Sequence, residues 1–339
     1  MDQPTARDDG QPTGWRSLVR SSAVQTLLAF GALIVMLVGF SIASPNFLQF
    51  DNLVGILLAT TVNGVLALGV TFVIITGGID LSIGTVMTLS AVMTGVVITR
   101  WQLPIPLGIA GGLVTGAAAG FGNGVLIAKL KVPPFIATLG MLNVAKGLAL
   151  VTSGLRPIYF TDTPSFNEMA MDSALGKLVP GLEVPNLVLF LFGAAILASF
   201  ALKRTILGRY TFALGSNEEA TRLSGVNVDA WKIAIYAVSG LFAGLAGVLI
   251  AARLDSAQPS LGVGYELDAI AAAVIGGSSL SGGEGTILGT VIGAFVISIL
   301  ANGLRILSVP QEWQTVVTGT IVVVAVYLDI VRRRRQEQA

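Results

Sequence analysis

The feature that most constrains this chain is a succession of ten apolar runs, each near the length of a bilayer crossing and separated by short polar segments. They fall at about residues 24–43, 53–76, 82–99, 105–128, 135–153, 185–202, 233–252, 267–281, 285–304 and 314–331. A helix needs roughly 20 apolar residues to cross the hydrocarbon layer. Charged residues are only 12% of the 339 and hydrophobic residues 53%, whereas a soluble domain carries about 25% charged residues. The sequence therefore predicts an all-α integral membrane protein of about ten transmembrane helices, one domain over residues 21–335, solvated by lipid. The eighth run is the weak one. Only 269–277 is continuously apolar, with Glu266 and Asp268 at its start and Gly276-Gly277 at its end, so a half-helix or re-entrant piece is an alternative to a full span.

Charge fixes the expected orientation. With ten spans and both termini cytoplasmic, Arg7, Arg16, Arg20, Lys129, Lys131, Lys203, Arg204, Arg209, Arg222, Lys232 and Arg332 to Arg335 face the cytoplasm, fourteen basic residues in all. The outer side holds five: Arg100, Arg156, Lys177, Arg253 and Arg305. That asymmetry satisfies the positive-inside rule, and an odd number of spans would place the terminal arginines outside. Before the first run lie more than twenty residues with Asp2, Asp8 and Asp9, a poor leader for secretion. Residues 1–20 are expected to be a disordered cytoplasmic tail.

The absences narrow the function. The chain contains no cysteine and no histidine, which removes disulfides, thiol chemistry and histidine-based metal or acid–base sites. No G-x-x-x-x-G-K-[ST] loop occurs, so the chain binds no nucleotide phosphates through that motif. No metal-ligand cluster and no nucleic-acid signature is present. An apolar chain without its own engine implies an engine elsewhere.

The longest basic polar segment, residues 203–232, points to where that engine attaches. Within it GSNEEATRLSGV reads as a short capped helix. Ser216 and Glu219 have the spacing of a reciprocal capping box, and Gly225 stands where a left-handed terminator belongs. Two turns over 217–224 are marginal in isolation, so this helix is expected to dock against something. A second capping box, Ser165 with Glu168, predicts a helix ending at Gly176 in the outer loop 154–184, with Phe166, Met169, Ala170 and Leu175 on its apolar face. An interfacial helix and a landing surface for an external partner are both open there.

Two glycine-rich turns resemble each other: ITGGIDLSIGT at 75–85 and IGGSSLSGGEGT at 275–286. Each places a glycine pair, small hydroxyls and one carboxylate, Asp80 or Glu284, on the predicted cytoplasmic side, as in transporters built from two related halves. Asp80 either lines a pathway or N-caps the third span. Asn63, Thr71, Asn123, Asn143, Lys146 and Asn302 are the other polar groups in the runs, and the amides either bridge helices or meet a polar solute. Glycine recurs every four residues at 108, 112, 116, 120 and 124, and again at 240 and 244 and at 285, 289 and 293. Small-residue faces of this kind let helices approach closely in lipid.

Several segments together resemble the permease subunits of ribose-type monosaccharide ATP-binding-cassette importers. They are TGGIDLSIG, PPFIATLGM at 133–141, ALGSNEEATRLSGVNVDAWK at 213–232 and YELDAIAAAVIGGSSLSGGEGTILGTVIGAFVISILANGL at 265–304. The resemblance implies a homodimer in the bacterial inner membrane that imports a monosaccharide, such as the pentoses ribose or xylose, delivered by a periplasmic sugar-binding protein. It implies that ATP and Mg are bound by a separate cytoplasmic ATPase and that this chain is no enzyme. It also assigns the ATPase-coupling helix to Gly215, Ser216, Asn217, Glu218, Glu219, Ala220, Leu223 and Gly225. Asn63, Asp80, Asn143, Ser278 and Ser279 are the expected translocation-pathway residues. A nucleoside or branched-chain amino acid cargo, and an ion-coupled transporter using Asp80, are the rival readings.

Overall fold

The computed structural model describes residues 22–337, without the side chains of 22–25, 325, 328–330 and 332–337. The expected tail 1–20 and the side chains of Arg332 to Arg335 lie outside it. In chain order the helices are α1 (Ser22–Ala43), α2 (Phe50–Ile75), α3 (Ile83–Gly95, continued by a π-turn Val96–Arg100), α4 (Ile105–Ala128) and α5 (Pro134–Ser153). After a two-residue strand β1 (Ile158–Tyr159) come α6 (Pro164–Met171), α7 (Ala174–Leu178), α8 (Asn186–Arg204), α9 (Ile206–Ser216), α10 (Glu218–Leu223) and α11 (Val228–Leu254). Strand β2 (Ser256–Ala257), α12 (Tyr265–Ile275), α13 (Ile287–Ile306) and α14 (Gln311–Glu337) complete it.

Among the described residues eight helices are long and apolar enough to cross a membrane: α1, α2, α3 with its π-turn, α4, α5, α8, α11 and α13. They carry eight of the ten predicted runs. The eighth run forms α12, eleven residues long and too short to cross alone; with the segment 256–264 before it, it carries the chain from the end of α11 back to the turn that touches the end of α9. Its apolar stretch ends at Gly276, and the chain turns at Gly277 with φ +97°. The tenth run lies on α14, part of which is outside the described side chains.

Burial sorts the helices. Every residue of α2 from Gly64 to Ile75 is buried, as is most of α3, so these form the centre with α11 and α13. Helix α1 stays peripheral and turns Leu27, Leu28, Val35 and Ile42 outward, as a lipid-facing helix does. The glycine ladder performs the packing expected of it. A Cβ on Gly116 would overlap the Gly240 carbonyl, and one on Gly120 would overlap the Tyr236 carbonyl, so α4 and α11 meet backbone to backbone. Thr71 and Thr290 bridge α2 and α13 with hydroxyls 2.8 Å apart.

The outer-loop helix differs from its expectation. Thr163, not Ser165, is the N-cap of α6 and its side chain makes no capping bond. Residues 165–176 form two helices because the Ser173 hydroxyl accepts from the Gly176 N–H at 2.8 Å and starts α7 afresh. Gly176 therefore lies inside a helix and ends none. Of the expected apolar face, Phe166 and Ala170 are buried, while Met169 and Leu175 are not. The loop is tied down by β1 pairing antiparallel with β2 and by Asn167 donating to the Ala252 carbonyl at 2.7 Å.

Candidate functional site

Three groups of residues hold the chemistry, and they sit at different depths of the bundle. The first is the α9–α10 corner. Asn217 is extended (φ −161°, ψ 102°), and its side-chain oxygen accepts from the Ala220 N–H at 2.8 Å. The cap of the short helix is thus Asn217. Ser216, predicted to fill that role, is the last residue of α9, one position too early, and Glu219 is exposed. Gly225 takes the left-handed conformation expected of it, φ +84°.

Helix α10 is anchored along one side. The Thr221 hydroxyl donates to the Ala213 carbonyl at 3.0 Å, fixing α10 to α9. Glu218 accepts from Lys232 at 2.6 Å and from Arg222 at 3.3 Å, fixing it to α11. Partial burial opposes ionisation of Glu218, but the two cations outweigh it and hold the carboxyl below its ordinary value. Asp229, in the first turn of α11, accepts from Lys131 at 3.0 Å. The outward side carries Asn217, Glu219, Ala220 and Leu223, and Leu223 is 83% exposed. Leu223 is thus a surface residue and takes no part in the core.

The second group is the pair of glycine turns. Asp80 is 1% exposed and fully engaged. One carboxylate oxygen accepts from the Ser82 N–H (3.0 Å) and hydroxyl (2.6 Å), the other from the Ser239 hydroxyl (3.2 Å). Asn123 donates to the Ser82 hydroxyl at 2.9 Å, so the knot joins α3, α4 and α11. Ser82 occupies the N-cap position of α3, and Asp80 closes a turn onto its N–H. Ser278 and Ser279 are buried in the other turn, where the Ser279 N–H donates to the Glu284 carbonyl at 3.1 Å.

The third group lines a cavity of about 660 Å³ between α2, the end of α11, α12, α13 and the start of α14. Asn63 is in its wall; Asp80, Asn143, Ser278 and Ser279 are not. Asn143 is exposed on α5 and donates to its own helix at Leu139, and Lys146 is exposed on the same helix. At one end the cavity is lined by Arg253 and Leu254 of α11 and by Leu261, Val263 and Gly264 of the loop before α12. It reaches Asn63, near the middle of α2, and Ser298, near the middle of α13. The side-chain oxygens of Asn63 and Asn302 and the Ser298 hydroxyl are buried there without a hydrogen-bond partner. Arg253, Asp268 and Arg305 stand in the same wall. Ser298, Asn302 and Arg305 escaped the sequence reading as a set, although their i, i+4, i+7 spacing places them on one face of a helix.

Comparison with known proteins decides what such a bundle is. Residues 52–326 match the family described as the permease component of a branched-chain amino acid transport system. The chain belongs to this permease family. It is similar to the ribose import permease of Haemophilus influenzae, 42% identical over 303 residues that cover 89% of this chain and 92% of that one. The ribose import permease of Escherichia coli K12 is 43% identical over 299 residues, 88% and 91% of the two chains. The xylose transport permease of the same organism is 32% identical over 377 aligned positions, 95% and 96%. The permease is accordingly a multi-pass membrane component of a bacterial ATP-binding-cassette importer. It is a transporter subunit and no enzyme, and its class works with a separate ATPase and a binding protein.

Proposed function

We propose that this permease forms the pathway for a neutral monosaccharide, D-ribose foremost, and works as a homodimer with both termini in the cytoplasm. The observation that carries the proposal is a cavity whose wall at mid-depth includes Asn63, Ser298 and Asn302, each with a buried oxygen that has no hydrogen-bond partner. Buried polar atoms normally find partners; sugar hydroxyls, each both donor and acceptor, supply them. The cavity lies on the side predicted to face the binding protein. Helix α10 lies at the opposite end, on the side that the charge asymmetry predicts to be cytoplasmic, and on this reading the ATPase with its ATP and Mg meets it there.

On this reading closure of the ATPase pushes α10 through Asn217, Glu219, Ala220 and Leu223, and the bundle rocks between two openings around the cavity floor. Asp80 serves as a structural knot, its carboxylate oxygens held by Ser82 and Ser239, and the energy comes from the ATPase. The experiment is uptake of radiolabelled D-ribose into vesicles holding the permease with its cognate ATPase, ATP inside and binding protein outside. Accumulation above the external concentration is expected, and removal of either partner abolishes it. Branched-chain amino acids are the second reading, favoured by Asp268 with Arg253 and Arg305, which supply both charges that a zwitterion meets. Labelled leucine accumulating in place of ribose decides for it.

A further inference from the structure

The two glycine turns identified in the sequence touch each other, and a third glycine sits in the contact. The carbonyl of Ile75, at the end of α2, lacks an intrahelical donor and accepts instead from the Gly283 N–H at 2.8 Å. The Ile75 side chain lies against Gly285, where an added Cβ would come within 2.6 Å of it. A Cβ on Gly282 would stand 2.9 Å from the Gly77 nitrogen and 2.8 Å from the Gly215 carbonyl oxygen. Gly215, one residue before the end of α9, fills the remaining space. A Cβ there would overlap the Ile75 carbonyl and come within 2.6 Å of the Gly283 nitrogen.

We infer that Gly215 is the positioning residue through which movement of α10 enters the membrane, clamping the turns at 76–82 and 276–286 into one block that carries α2–α3 and α12–α13 together. This rests on the docking of the ATPase at α10 proposed above. The connection from α10 inward is short and stiff. Thr221 bonds to Ala213 of α9, two residues before Gly215, which is in backbone contact with both turns. The first turn is fastened further by Asp80 to Ser239, and by the Tyr236 hydroxyl donating to the Ile79 carbonyl at 3.2 Å. A displacement of α9 therefore cannot move one turn without the other. Packed contacts of this density transmit shifts instead of absorbing them. Gly215, which the resemblance counts with the coupling helix, lies at the end of α9 and faces inward, away from the outward side of α10, so its substitution alters no side chain of that surface.

One variant and one exchange measurement test this in the complex of permease, cognate ATPase and binding protein, with radiolabelled D-ribose as the transport probe. Gly215→Ala is expected to retain co-purified ATPase within twofold and to lower ribose transported per ATP hydrolysed at least tenfold. Proportionate loss of uptake and hydrolysis, or an unchanged ratio, overturns the inference. Loss of co-purification also overturns it, since position 215 then shapes only the docking surface. Failure of wild-type permease to hold the ATPase through α10 strikes the underlying reading instead. The contact is also read without substitution, through the Gly283 N–H that donates to the Ile75 carbonyl across it. Amide hydrogen exchange of Gly283 in the wild-type complex is expected to be equally slow with and without bound ATP, because the two turns move as one. Exchange that quickens at least tenfold in either state shows that the turns separate during transport and contradicts the inference.

Discussion

Lys232 Nζ lies 2.6 Å from Glu218 Oε2, which joins the short helix α10 to the first turns of α11. This pair and the Thr221–Ala213 bond hold a two-turn helix that is marginal alone. Anchoring from one side is what frees Leu223 for a partner. The Glu218 carboxyl is held below its ordinary value of 4.5, so the pair stabilises the folded corner above that value and is lost as pH falls through the lowered one. Amide hydrogen exchange of residues 217–224 is expected to be constant from pH 8 to 6, after correction for intrinsic rates, and to quicken only below about pH 4.5.

Glu218→Gln keeps the shape and removes the charge. A partly exposed pair of this kind contributes at most about 1 kcal/mol. ATPase retained on purification is therefore expected to fall by a factor of about two to five, with membrane insertion unchanged. Quantifying the ATPase band against the permease band checks it.

The cavity floor offers a second test. Asn63→Leu and Ser298→Ala each remove one acceptor from a wall in which no protein donor satisfies it. Each is expected to reduce ribose uptake at subsaturating sugar by about three- to tenfold, the net worth of one hydrogen bond. The amount of assembled complex stays the same. Uptake measured against ribose concentration separates that loss from a folding defect, which lowers the maximum alone.

Asp80→Ala leaves the Ser82 and Ser239 hydroxyls without their buried acceptor. That costs about 1–3 kcal/mol per stranded group, so the melting temperature in detergent falls by several degrees. Uptake by wild-type protein with ATP held constant is expected to be indifferent to an uncoupler. Collapse of uptake under the uncoupler contradicts the structural role given to Asp80.

Gly116→Leu forces a side chain into the Gly240 carbonyl and separates α4 from α11. Overpacking a close contact costs about 1–3 kcal/mol or more, and less permease is expected to survive extraction at 37 °C. Gly140→Leu, on an open face of α5 with nothing within 4 Å, is the control and is expected to be silent.

The bilayer made much of the fold legible, because a long apolar run has few alternatives to a helix. Eight runs are long helices, and the doubt over residues 267–281 resolves as an eleven-residue helix, since Gly276-Gly277 stop it early. Caps were legible only to within a residue. Ser216 and Asn217 are both good N-caps in adjacent positions, and the extended backbone at Asn217 decides between them. The contact of the two glycine turns was hidden, because their likeness in sequence says nothing of their distance in space. The cavity was half visible. Asn63 stood out as a polar residue in an apolar run, whereas Arg253, Asp268 and Arg305 looked like ordinary span-end charges until the helices brought them into one wall.

The measurement that bears most directly on the central claim is ribose accumulation in vesicles containing the ATPase and Leu223→Asp permease, with ATP inside and binding protein outside. Leu223 is 83% exposed, so the substitution leaves the fold and its insertion intact. The account predicts that accumulation falls to the level of vesicles lacking the ATPase. Accumulation at the wild-type rate would contradict it, because α10 would then not be where ATP hydrolysis acts on this permease.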